Sequence, residues 1–170
     1  MVRSPTVRDP ELPVEFRSAA SSDLVRMAVG DPVGRDPSAR VRVALIADRP
    51  VAVVRTARPE ADGQPARPGR TDPGLRSVEL AVIDPWMDRR STGARVLWAF
   101  AAFLFRDPDV RRIQVDADVA DEDLIHACAD VGFRSLGLFQ GRRGTTHLFT
   151  VRRHELRAVA PASLSRVMVL

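Results

Sequence analysis

Residues 75–116 read LRSVELAVIDPWMDRRSTGARVLWAFAAFLFRDPDVRRIQVD, and the order of patterns within this stretch decides the fold. From Leu75 to Ile83 the chain alternates, with Val78, Leu80 and Val82 on one face and Glu79 and Ala81 on the other, as a β-strand requires. Pro85 ends that strand. From about Thr92 to Phe105 the residues are apolar almost all round, which predicts a helix buried on both sides, and Asp107-Pro108 stops it. A β-branched run from Val110 to Val115 predicts the next strand. Strand, glycine-containing turn, helix and strand together have the length of a right-handed crossover between parallel strands.

Working outward, Asp121 or Asp118 caps a helix through Leu124, Ile125 and Cys128 that Gly132 stops. Phe133 to Phe139 and Thr145 to Val151 form an antiparallel pair around Gly141-Arg142-Arg143-Gly144. Upstream, RVRVALIADRPVAVVRT, Arg40 to Thr56, is two β-branched runs joined as a hairpin at Ala47-Asp48-Arg49-Pro50. Val14-Glu15-Phe16 alternates as a short strand, and Ser21-Ser22-Asp23 caps a short helix that Gly30, Pro32 and Gly34 cut off. Between Ala57 and Gly74 stand four prolines and three glycines with little to bury, a long mobile surface loop. The expected organisation is a flexible lead-in over 1–12, one domain over 13–153 with its loop at 57–74, and a tail over 154–170 that forms a short helix or strand. The order β–α–β–β–β–α–β–α–β–β predicts an α/β fold around a sheet of mixed direction.

Composition narrows the chemistry. The 170 residues include no Lys, Asn or Tyr, so all 26 cationic side chains in the Lys+Arg count are Arg. Net charge is only +4. The high pI of 10.9 follows from having no Lys or Tyr to titrate near pH 10, and is weak support for a nucleic-acid partner. The arginines are interspersed with 22 acids, without an aromatic stacking stripe, which argues further against nucleic acid. No run approaches the roughly 18 apolar residues of a membrane span. The start, MVRSPTVRDPELP, has no hydrophobic stretch behind its Arg, which points to a cytoplasmic protein. One cysteine, Cys128, excludes an internal disulfide, and His126, His147 and His154 fit no metal-ligand spacing, so no metal is expected. Trp98 falls in the buried helix. Trp86, after the Asp84-Pro85 stop, suits a cleft or an interface.

The turn from Asp88 to Arg95 is the segment richest in possible chemistry. A helix N-terminus offers unpaired N–H groups and a positive dipole end, small residues admit a phosphate to the backbone, and Arg89 and Arg90 add charge. The same residues also make an ordinary solvated turn. Without Lys and flanking glycines it is not a P-loop.

With these motifs, TDPGLRSVELAVI, RRSTGARVLWAFAAFLFRDPDVRRIQVD and LIHACADVGFRSLG, the chain from Thr71 to Arg152 resembles the GNAT superfamily of acyl-CoA-dependent N-acetyltransferases, nearest the aminoglycoside 6'-N-acetyltransferases and siderophore acyltransferases. The resemblance implies a central mixed, mostly antiparallel sheet flanked by helices, with a strand-turn-helix core that binds coenzyme A. It implies acetyl-CoA as co-substrate, a small-molecule amine as acceptor, and a monomer or homodimer. The pyrophosphate would sit on Arg89, Arg90, Ser91, Thr92, Gly93 and Ala94, with Ser91 where the family has its first glycine. The pantetheine arm would pair along Leu80, Ala81, Val82 and Ile83. Asp121 stands where relatives have Asn, and a carboxylate there opposes the coenzyme's phosphates.

Three side chains are candidates for catalysis. Glu79, at a position acidic in the aminoglycoside branch, would take the ammonium proton directly or through water. It is equally a strand Glu paired with an Arg. Asp116 would serve the acceptor or a proton path, or else ends its strand. Cys128 occupies the place of the Tyr that relatives use to protonate the departing thiolate, and a thiol of pKa near 8.5 can do so, although a lone Cys also suits core packing. The loop RPEADGQPARPGRTD carries three arginines and no aromatic, which favours an acidic or neutral amine over the polycationic aminoglycoside 6'-amine. An acyl-CoA-binding protein with reduced or lost catalysis is the alternative.

Overall fold

A computed structural model describes residues 13–19, 40–57, 72–141 and 144–159. The helix expected after Ser21 and most of the loop at 57–74 lie outside the described residues, as do the lead-in and the end of the tail. The strands are β1 (Val14–Ser18), β2 (Arg40–Ile46), β3 (Arg49–Ala57), β4 (Leu75–Val82), β5 (Arg112–Asp118), β6 (Arg134–Gly141) and β7 (Gly144–Arg152). They form one sheet in the order β1-β2-β3-β4-β5-β7-β6, in which every neighbouring pair is antiparallel except β4 and β5. The helices are α1 (Arg89–Leu104), α2 (Glu122–Val131) and α3 (Arg153–Val159). The result is the α/β fold around a sheet of mixed direction that the sequence patterns predict, mostly antiparallel as the family resemblance implies.

The parallel pair exists because α1 is the crossover that carries the chain back from the end of β4 to the start of β5. Val96, Leu97, Phe100 and Ala101 of α1 are buried in one cluster with Phe16, Val54, Val78 and Val115, which fixes α1 on the sheet face bearing those side chains. Phe16, Phe100 and Phe103 pack together with centroids 5.1 to 6.0 Å apart, pinning the first strand to the middle and end of α1. Leu124, Cys128 and Val131 bring α2 into the same cluster.

Several boundaries differ from the sequence expectation. α1 starts at Arg89, not Thr92, because the Asp88 carboxylate accepts from Ser91 N–H and caps the helix three residues earlier. β5 runs from Arg112 to Asp118 rather than from Val110 to Val115. Val110 is held in a turn by its bond to the Asp107 carbonyl, and pairing with β7 carries the strand on to Asp118↔Thr146. This places Asp116 inside the strand, not at its end. The first hairpin turn is only Ala47-Asp48, both at positive φ (50° and 61°), so Arg49 and Pro50 already belong to β3. The start of the tail is helical, as α3.

Candidate functional site

β4 and β5 share register from Leu75↔Arg112 to Val78↔Val115 and then part. Beyond that point β4 stays with β3 as far as Val82↔Ala52, while β5 stays with β7. The two strands therefore open a fork in the middle of the sheet. Ile83 N–H donates to the Val51 carbonyl at 2.9 Å, and backbone groups alternate sides along a strand. Ala81 and Glu79 thus also turn their backbone toward β3, while Leu80 and Val82 turn theirs into the fork. Of the four strand residues expected to pair with a pantetheine arm, the geometry offers Leu80 and Val82. Ile83 has its N–H committed to β3.

On the helix side, a crevice beside the fork is lined by Leu80, Val82, Arg89, Gly93, Asp121, Asp123 and Leu124. The first turns of α1 and α2 meet there. A Cβ placed on Gly93 would lie 3.5 Å from the Ala127 Cβ and 3.8 Å from the side chains of Leu80 and Val82, an ordinary contact. Thr92 and Gly93 are buried, Ala94 is half-buried, and Ser91 is exposed. A wider cleft of about 450 Å³ continues outward between Arg89 and Asp118, Ala120, Asp121, Glu122 and Asp123. The charged groups of the turn are tied down. Arg90 makes a two-pronged contact with Asp130 at 2.7 and 2.8 Å, and Arg89 reaches Asp121 at 3.4 Å and Asp123 at 3.8 Å.

The N-terminus of α1, with its unpaired N–H groups and the positive end of its dipole, thus lies beside the open backbone of the fork. The sequence profile of the acetyltransferase (GNAT) domain family matches residues 15–140. The chain belongs to that family. No curated protein matches it significantly in sequence. Among solved structures, the GNAT chain is similar to AAC(6')-Ib in complex with ribostamycin and coenzyme A, at TM-score 0.76 and 18% identity, covering 88% of this chain and 99% of that one. It is also similar to the aminoglycoside N(6')acetyltransferase of Legionella pneumophila, at TM-score 0.66 and 14% identity, covering 87% and 96%. An uncharacterised protein from Bacillus halodurans shares the fold at TM-score 0.70 and 13% identity, covering 85% and 86%.

In this GNAT domain the side chains on the two faces of the fork differ sharply. Val78 and Val115 are paired and belong to the α1 side, so their successors Glu79 and Asp116 lie on the opposite face. Arg55, directly across from Glu79 on β3, is nearly buried and holds both Glu79 oxygens at 3.2 Å. The Glu79 side chain remains 46% exposed. It is thus both the Arg-paired strand residue and an accessible carboxylate beside the fork.

Cys128 stands apart from this group. It has no exposed surface, and burial pushes its thiol up to about 12, with the Asp121 charge adding to the shift. A thiol in that state is a poor acid toward a thiolate of ordinary basicity, and it has no surface for a ligand to touch. Asp121 caps α2 by accepting from Leu124 N–H at 3.1 Å while meeting Arg89. Trp86 is 85% exposed on the turn after β4, and Trp98 is buried in α1.

Arg55, Asp88 and Asp130 were not singled out as site residues by the sequence. For Asp88 the signal was present, since an Asp just before an apolar helix is an N-cap residue. The partners of Arg55 and Arg90 lie 24 and 40 residues away in the chain, beyond local pattern reading. A separate groove of about 640 Å³ between Arg42, Arg76, Phe103 and Val110 sits at the far end of α1 from the fork. Among the described residues no group of His, Cys, Asp and Glu is arranged to hold a metal, and no helix is long and apolar enough to cross a membrane.

Proposed function

We propose that the protein transfers an acetyl group from acetyl-CoA to a primary amine of a small molecule, directly and within one ternary complex. The observation that carries this reading is the open backbone of Leu80 and Val82 at the fork, beside the N-terminus of α1, in a chain of the GNAT family. The pantetheine arm pairs there, and the pyrophosphate lies over Arg89, Arg90, Ser91, Thr92, Gly93 and Ala94. The Leu80 N–H polarises the thioester carbonyl, stabilising the oxyanion as it forms. Glu79 takes the proton from the acceptor's ammonium directly or through one water, and Asp116, on the same face, holds the acceptor. The amine then attacks, the carbon–sulfur bond breaks, and the departing thiolate takes the proton that the attacking nitrogen sheds.

Cys128 is assigned to the core in this scheme, since its enclosure supports packing over proton donation. The Arg55 guanidinium against Glu79 offsets the negative potential at the acceptor face, which favours a neutral or acidic amine over a polycation. The aminoglycoside acceptors of the structural neighbours are the second acceptor class to test. A second reading, an acyl-CoA-binding protein with reduced or lost catalysis, is favoured by the loss of a proton donor at Cys128.

Thermal melting with acetyl-CoA and with CoA tests the donor: stabilisation is expected under both readings, and no shift at millimolar ligand contradicts both. Thiol release measured across amino acids, hydroxylysine, polyamines and aminoglycosides then separates enzyme from binder.

A further inference from the structure

The N–H groups at the start of α1 are what a donor's phosphate would use, and one of them is already taken. Ser91 N–H donates to the Asp88 carboxylate at 2.7 Å, and the exposed Asp88 is itself an anion at the positive end of the helix. The two guanidiniums of the turn do not compensate, because Arg90 is bound to Asp130 and Arg89 to Asp121 and Asp123. Asp88 therefore stands toward the turn as a phosphate oxygen would, with the same acceptor chemistry and the same sign of charge. The crevice that leads from the turn to the fork adds Asp121 and Asp123.

Building on the acetyl-CoA reading above, we propose that Asp88 determines donor specificity: its carboxylate occupies the phosphate's place on the α1 N-terminus, so that donor binding is limited by phosphate charge and not by the pantetheine arm. Binding a pyrophosphate requires Asp88 to give up Ser91 N–H and swing away. A donor without phosphate at this point meets no such competition. The carboxylate thus discriminates by charge between donors that share one thioester arm.

Asp88→Asn isolates the charge, because Asn caps a helix as well as Asp does, and Asp88→Ser provides a second cap without charge. Unchanged melting temperatures would verify that both variants keep the fold. Calorimetric titration with CoA and with phosphate-free pantetheine is the test. For both variants the CoA dissociation constant should fall about 3- to 10-fold, the size expected for one charge at an exposed helix N-terminus with like-charge repulsion added. Pantetheine affinity should not move, whether measurable or below detection. CoA binding that appears only after substitution supports the proposal most strongly. An unchanged CoA affinity, or an equal gain for both ligands, overturns it while leaving the donor reading intact. If neither the natural protein nor a variant binds CoA at millimolar concentration, the donor reading fails and this inference with it.

Discussion

Cys128 is chemically isolated in an unusual way. The chain has no Lys and no Tyr, so between the histidines and the arginines Cys128 is its one titrating side chain. Burial pushes the folded thiol up to about 12, so above the ordinary thiol range the unfolded chain sheds a proton that the folded chain keeps. Stability is therefore complete below pH 9 and declines as pH rises toward 12, by about 1.4 kcal/mol per pH unit once the unfolded thiol is ionised. Denaturant unfolding between pH 8 and 11 should show this slope in the natural protein and a flat profile in Cys128→Ala. An equal slope in both would disprove enclosure of the thiol. Glu79 makes the contrasting case. Its place on the polar face of β4 is legible from strand alternation, whereas Arg55 is not, because nothing local marks an arginine for burial against a neighbouring strand. Glu79→Gln should lower turnover by a factor on the order of 10² or more, as for loss of a general base, while CoA affinity stays the same. Stability should change by no more than about 1 kcal/mol, since half of that carboxylate is solvated. Unchanged turnover across pH would remove Glu79 from the chemistry.

At the scale of elements, strands and helices were readable wherever period and punctuation agreed. The β4–α1–β5 crossover follows from alternation, Pro85 and the apolar run. Its ends moved because they depend on single bonds: the Asp88 cap at one end and the β7 ladder at the other. The fork itself lies beyond local pattern. Strand divergence is a property of pairing partners, and no residue in β4 announces where β5 leaves it. Gly93 illustrates how an element-level test differs from a motif-level one. A glycine inside a buried helix suggests a steric need, but a methyl there meets its neighbours at ordinary distances. Gly93→Ala should thus stabilise the unliganded protein by about 0.5–1 kcal/mol through lost backbone entropy, raising its melting temperature. A fall in stability would mean that the space between α1, α2 and β4 does not admit the methyl group. Phe100 is the opposite test. It is fully buried against Phe16 and Phe103, so Phe100→Ala should cost about 3–5 kcal/mol in denaturant unfolding, enough to threaten a domain of ordinary stability.

For the whole molecule, net charge gives the wrong sign for the site. The chain carries +4, yet residues 88–91 and 118–123, the two helix starts that meet at the fork, hold five carboxylates and two guanidiniums, a local excess of three negative charges. The two guanidiniums are also the ones locked in pairs, Arg89 with Asp121 and Asp123, Arg90 with Asp130. Arginine abundance thus says little about phosphate affinity here, since the fold spends Arg89 and Arg90 bracing α1 against α2. The bracing has its own pH signature. Hydrogen bonds from Ser91 hold the Asp88 carboxyl below its usual range, and the Arg90 contact does the same for Asp130. Both contributions are present above the ordinary carboxylate range near pH 4 and are lost as pH falls below it. Salt dependence then tests the charge arrangement as a whole. A mouth that bound CoA through free cations would lose affinity steeply as salt displaced its counterions. In this protein screening weakens repulsion from Asp88, Asp121 and Asp123 as much as attraction to the arginines. CoA affinity measured by calorimetry from 50 to 300 mM salt should therefore change by less than about threefold, given a Debye length near 10 Å that exceeds the spacing of the paired charges. A tenfold or larger loss would mean that the arginines abandon their carboxylate partners and turn to the phosphates when the donor binds.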